Sequence, residues 1–225
     1  MDHSLATPQS TRPLARPDVA PARNPLLDAE GHVCAFFHGE DEEYRVLLPF
    51  IKEGFDQGER ACHLVSPARR DDHLRRLADA GIDVDGAEAS GQLVVLDWSQ
   101  TYLEGGRFDQ DRTMSQLASS RDEGRRLGYS RTRYVAHMEW ALDMENLPEL
   151  AVYEATSNFV PLTPNVAICV YQIPEWDGQL LINALRTHPL VILGGLLHEN
   201  PFFQPPAEVL AELKIGRRSV RRRIS

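Results

Sequence analysis

The stretch His32-Val33-Cys34-Ala35-Phe36-Phe37-His38-Gly39-Glu40-Asp41-Glu42-Glu43 decides the architecture. Val33–Phe37 is a short uninterrupted apolar run, the texture of a strand buried on both faces. After His38-Gly39 the period changes, and Tyr44, Leu47, Leu48, Ile51 and Phe55 recur at helical spacing up to the turn residues Gln57-Gly58. Pro49 falls inside that helix and is expected to kink it, because it removes a backbone donor and crowds the preceding turn. A strand running straight into a helix is where a nucleotide-binding α/β protein places a glycine-rich loop, whose backbone N–H groups, lysine and Ser/Thr hydroxyl hold phosphates and magnesium. Here one glycine precedes four acids, Glu40 to Glu43. Carboxylates suit the positive end of a helix but repel the phosphates that would otherwise gather there. ATP hydrolysis is therefore not expected.

Outward from this unit the same alternation continues. Strands are expected at Val33–Phe37, Ala61–Val65, Leu93–Asp97, Arg133–Met138, Val166–Tyr171 and Leu190–Leu193. Further helices are expected over Asp71–Ala80, stopped by Gly81, and near Asp111–Leu127, Leu147–Phe159 and from Ala207. The expected fold class is α/β: a single domain with a mostly parallel central sheet and helices on both faces. Residues 1–29 hold Pro8, Pro13, Pro17, Pro21 and Pro25 without apolar periodicity and read as a disordered leader; 30–212 form the domain, and 213–225 a basic tail.

Composition narrows the functional classes. The chain has 225 residues, 42% of them hydrophobic, enough for one core. No apolar run is long enough to span a membrane, and no secretory core opens the sequence, so a cytoplasmic location is expected. Cys34, Cys62 and Cys169 are odd in number and lie in apolar runs, which argues for reduced thiols. The formal charge is −9, and because Lys214, Arg217, Arg218, Arg221, Arg222 and Arg223 lie in the tail, the remainder carries about −15. Such a body repels nucleic acid, so no direct nucleic-acid binding is expected.

Several motifs, weak singly but ordered and spaced together, carry a resemblance. They are His32-Val33-Cys34-Ala35-Phe36-Phe37, Gly105-Gly106-Arg107-Phe108-Asp109, His137-Met138-Glu139-Trp140-Ala141-Leu142, Tyr153-Glu154-Ala155 with Asn158, Ile168-Cys169-Val170-Tyr171-Gln172, His188-Pro189, and Gly194-Gly195 followed by Glu199-Asn200-Pro201-Phe202-Phe203. The run from Phe36-Phe37-His38-Gly39 through Phe50-Ile51-Lys52-Glu53-Gly54-Phe55, Gly58-Glu59-Arg60, Val65-Ser66-Pro67, Gly81-Ile82-Asp83 and Gly91-Gln92-Leu93-Val94-Val95-Leu96-Asp97 resembles the layout of KaiC-like relatives of the RecA ATPases, without a functional P-loop, and the motifs above resemble more specifically the MEDS family, the sensory domain of methanogens, methylotrophs and the regulator DcmR. The resemblance covers about residues 30–212. It implies a sensor of small, hydrocarbon-derived molecules that signals through a protein partner or through self-association as a homo-oligomer.

Ligands of open α/β sheets gather outside the carboxyl ends of the strands, which nominates His38, Glu139, Trp140, Tyr171 and Gln172. Glu154 and Asn158, four apart on a helix, share a face and are added as pocket or hydrogen-bonded structural groups. Trp140 reads first as a packing residue and second as an aromatic wall for an apolar ligand with a polar handle, and Phe202 and Phe203 read as anchors that fold back onto the core and hold the final helix. Glu139 and Glu154 would suit acid–base work if they converged. His32, Cys34, Cys169 and His188 supply the residue types of a tetrahedral zinc site, but no CxxC or HxxxH pair is present, both cysteines read as core, and His32 opens its strand away from the carboxyl ends. No metal, catalytic residue or cofactor is expected. The leading expectation is a non-catalytic sensory module with a small-molecule ligand; the alternatives are an interaction scaffold in an anti-sigma or kinase pathway and a carboxylate-dependent enzyme.

Overall fold

The computed structural model describes residues 31–143, 147–160, 162–175 and 178–213. The Pro-rich leader, and the basic tail from Lys214 on, lie outside the described residues. Seven strands form one sheet: β1 (Gly31–Phe37), β2 (Arg60–Val65), β3 (Leu93–Asp97), β4 (Thr132–His137), β5 (Val166–Gln172), β6 (Leu190–Leu193) and β7 (Leu196–Glu199), ordered β3-β2-β4-β5-β1-β6-β7. Every pairing is parallel except β6 with β7. This is the expected α/β sheet, and it is consistent with a RecA-like fold.

The helices are α1 (Glu40–Asp56), α2 (Arg70–Asp79), α3 (Val84–Ser90), α4 (Gln110–Arg126), α5 (Leu147–Ser157) and α6 (Gly178–Thr187), followed by a final helix over 206–213. They divide by sheet face. Alternate strand residues Val33, Ala35, Phe37, Val135, Ile168 and Val170 pack against Leu47, Phe50 and Ile51 of α1, Leu77 of α2 and Ala87 of α3. The intervening residues Cys34, Phe36, Cys62, Leu64, Ala136, Cys169 and Tyr171 pack against Met114 and Leu117 of α4, Leu150 and Tyr153 of α5, and Leu180 and Ala184 of α6. The period of two thus sorts side chains between two cores on opposite faces of the sheet.

Local chemistry explains most ends. Asp109 caps α4 by accepting from Arg112 N at 3.0 Å, and Arg125 and Arg126 occupy its last turn, where cations complement the helix carbonyls. Asp83 caps α3, and Gly91 closes it in the left-handed conformation at φ 73°. Pro49 lies within α1, which runs on as one helix to Asp56.

Three elements depart from expectation. α3 has only seven residues, with Gly86 inside it, and α6 buries a narrow stripe of Leu180, Ala184 and Thr187. β7 is a four-residue edge strand joined to β6 by Gly194-Gly195, whose positive φ values of 58° and 80° suit a two-residue hairpin. The expected fold-back of Phe202 is also corrected: its side chain is 62% exposed, and Val209 instead buries the final helix. A rigid Asn200-Pro201 turn carries Phe202 outward, with Asn200 spent on backbone carbonyls of Leu185 and His188. Cys34, Cys62 and Cys169 are buried free thiols, and among the described residues no helix is long and apolar enough to cross a membrane.

Candidate functional site

The carboxyl ends of β1, β2, β4 and β5 meet in a cleft bordered by His38, Ser66, Arg69, Trp98, Glu139 and Gln172. Three nominated residues, His38, Glu139 and Gln172, are therefore brought together. The cleft is held by charge. Glu43, from the first turn of α1, is 2% exposed and points under the strand ends, where its carboxylate accepts from His137 Nε2 at 2.7 Å, Gln172 Nε2 at 2.7 Å and Arg69 Nη2 at 3.1 Å. Arg69 also pairs with Glu139 at 2.7 Å and Glu40 at 3.2 Å. Burial alone would push the Glu43 pKa up, but the neighbouring His137 and Arg69 outweigh it and hold the carboxyl below its usual range. His137 is the counterpart: burial opposes its charge, and Glu43 raises its pKa nonetheless.

Arg69 escaped the sequence reading. It lies four residues beyond β2 in Ser66-Pro67-Ala68-Arg69, so the strand-end rule applied to β2 reaches it, and it is the charge partner of Glu139. His38 is exposed and contributes its backbone N–H to Glu42 at 2.8 Å. Beneath the cleft Tyr44 Oη, His73 and His63 form a buried chain with contacts of 2.6 Å and 2.8 Å. Burial, then the charge of His137, holds the His63 pKa down to about 3, with Glu43 opposing.

The remaining nominees lie elsewhere. Trp140 is 1% exposed and stacks on Tyr102 and Phe108 at ring-centre distances of 4.4 Å and 5.1 Å, one layer behind any surface a ligand would touch. This is the packing role read first from the sequence: the short turn Glu139–Asp143 after β4 folds the ring inward. Asn158 is a structural clamp, donating to Glu154 O at 3.0 Å and Thr187 O at 2.7 Å, which ties the end of α5 to the end of α6. Tyr171 points away from the cleft into the α5–α6 face and donates to Glu154 Oε1 at 3.3 Å. Glu139 and Glu154 belong to separate networks, so the paired-carboxylate geometry is not formed.

Two features lie on the α4–α6 face. The first is an apolar cavity of about 90 Å³ between the sheet and α4 and α5, walled by Leu64, Tyr102, Met114, Leu117, Ala136 and Tyr153. This lining is apolar, whereas the strand-end cleft is lined by Arg69, Glu40 and Glu139. The second is a buried group at the cavity's edge, His32, Glu154, Cys169 and His188, whose ligand-type atoms all lie within 4.8 Å of one another. Three of the four residues weighed in the sequence as a metal set, His32, Cys169 and His188, thus converge despite their linear spacing. Cys34 is outside it, donating to Leu190 O at 3.6 Å, and Glu154 takes the fourth place.

Fold and site together define an α/β domain with an internal apolar cavity and a charge-locked strand-end cleft. Residues 31–189 match the family described as MEDS: MEthanogen/methylotroph, DcmR Sensory domain, and the chain belongs to that family. The match spans β1 through the end of α6, so β6, β7 and the final helix follow it. Among curated proteins, none matches the chain.

Proposed function

We propose that the chain is a non-catalytic sensory module whose ligand is a small apolar molecule held in the cavity between the sheet and helices α4 and α5. The observation that carries this reading is the cavity itself, lined mainly by aliphatic and aromatic side chains with few polar atoms. At about 90 Å³ it is smaller than the ~150 Å³ apolar cavity known to take up benzene, which sizes the ligand at a few heavy atoms, as for a halogenated or oxygenated one- to three-carbon compound. Occupation fills space beside α4 and α5, and a ligand that favours one packing of those helices shifts the population presented to a protein partner. ATP hydrolysis has no place in this reading, because Glu40 to Glu43 stand where a phosphate loop would be.

Thermal denaturation of the full chain with short-chain halocarbons and alcohols, and with ATP–magnesium in parallel, tests the reading. Stabilisation by the small organics is expected, and Ala118→Leu, which fills the cavity from α4, abolishes it while the fold is kept. Stabilisation by ATP–magnesium alone would sink the proposal.

A further inference from the structure

The parallel pairing of β1 with β5 sets His32 opposite Ala167 and Cys34 opposite Cys169, so His32 and Cys169 share one face of the sheet as diagonal neighbours. α5 lowers Glu154 onto this pair, and the turn between α6 and β6 brings in His188, held from behind by Asn200, which donates to His188 O at 2.6 Å. All four side chains are more than nine-tenths buried. His32 Nε2 lies 3.3 Å from Cys169 Sγ and 3.3 Å from Glu154 Oε2, and His188 Nε2 lies 3.5 Å from the same carboxylate oxygen.

These contacts have the wrong character for a self-sufficient hydrogen-bond network. Glu154 Oε2 and His188 Nε2 have hydrogen-bond distance but no hydrogen bond, so a buried carboxylate oxygen and a buried imidazole nitrogen face each other unsatisfied. His188 Nδ1 sits 2.7 Å from Ala184 O, which places its proton there and leaves the Nε2 lone pair aimed into the group; backbone carbonyls orient metal-ligating histidines in this way. Four ligands about 2.0–2.3 Å from a tetrahedral ion are separated from one another by roughly 3.3–3.7 Å; the three pairs above have that spacing, and the other three lie within 4.8 Å, so that a small closing movement completes the set.

We propose that His32 Nε2, Glu154 Oε2, Cys169 Sγ and His188 Nε2 form a binding site for a zinc-class divalent cation. Two imidazoles, a thiolate and a carboxylate are a borderline-soft set that favours zinc or cobalt over magnesium or calcium. The thiolate and carboxylate together neutralise a dication, which answers the cost of burying charge. Coordination displaces the Cys169 thiol proton to solvent and changes no oxidation state. The site borders the apolar cavity and shares His32 and Cys169 with its wall, and its test reads metal binding alone, whether or not that cavity takes a ligand.

The test uses the full chain, stripped with chelator under reductant and titrated with Zn²⁺ and with Co²⁺. The expected result is one ion per chain, with cobalt showing tetrahedral absorption and a thiolate-to-metal charge-transfer band. Loss of a direct ligand costs at least as much as loss of an outer partner, so His188→Ala weakens binding at least about tenfold, and Cys169→Ser also removes the charge-transfer band. Cys34→Ser keeps both stoichiometry and band. A wild-type cobalt complex without the thiolate band, binding no tighter than millimolar, or a band that survives Cys169→Ser overturns the proposal. The wild-type spectrum decides the matter even if a variant fails to fold.

Discussion

Gly54, on the inner side of α1, has a definite task in the structure. A Cβ there would lie 2.9 Å from both Cδ and Nε of Arg133, a side chain that is 1% exposed and tied to Glu59 and to the Phe50 carbonyl. Alanine improves helix propensity by about 1 kcal/mol, but overpacking a fixed neighbour costs ~1–3 kcal/mol, and the pinned guanidinium cannot withdraw. Gly54→Ala is therefore expected to lower stability by roughly 1–2 kcal/mol in urea unfolding; a neutral or stabilising result would show that Arg133 is free to move. Trp140 and Tyr171 make the same point about single residues. Their strand-end positions in the sequence were legible, but the side of the sheet that receives each ring depends on parity and on the turn after β4.

At the scale of elements, α1 is locked to the strand ends through Glu43. Its acidic first turn was legible as a helix start hostile to phosphate. That one of the four acids is buried against His137, Arg69 and Gln172 was not, because those partners come from β4, the segment after β2, and β5. Breaking a buried ion pair on one side leaves its partners unmatched, so Glu43→Gln is expected to cost about 3 kcal/mol or more. The measurement is chemical denaturation near neutral pH, and a change below about 1 kcal/mol would place the network among exposed, weakly coupled pairs. The elements missed in sequence, α3, α6 and β7, are short or amphipathic over a narrow stripe, so their identity is set by the sheet they cover or extend.

For the whole molecule, the buried histidines tie stability to pH. The folded chain holds His63 at a pKa of about 3, against 6.5 for the ordinary imidazole, because burial and the charge of His137 disfavour protonation. Between those values the unfolded state binds more protons, so this contribution is fully present above pH 6.5 and is lost as pH falls toward 3. A His63→Phe variant is expected to show a shallower decline of melting temperature over that interval than the parent. Equal slopes would mean that His63 does not control the acid side.

The sequence by itself determined the α/β class, the six parallel-sheet strands and the resemblance to the sensory family, because these rest on local periodicity and on residue types at fixed spacing. Tertiary structure alone decided which strands became neighbours. The order β3-β2-β4-β5-β1-β6-β7 places β5 beside β1, and so joins His32 to Cys169 across 137 residues, while α5 and the α6–β6 turn deliver Glu154 and His188 to the same point. No linear spacing encodes that convergence, because it arises from pairing between strands far apart in the chain.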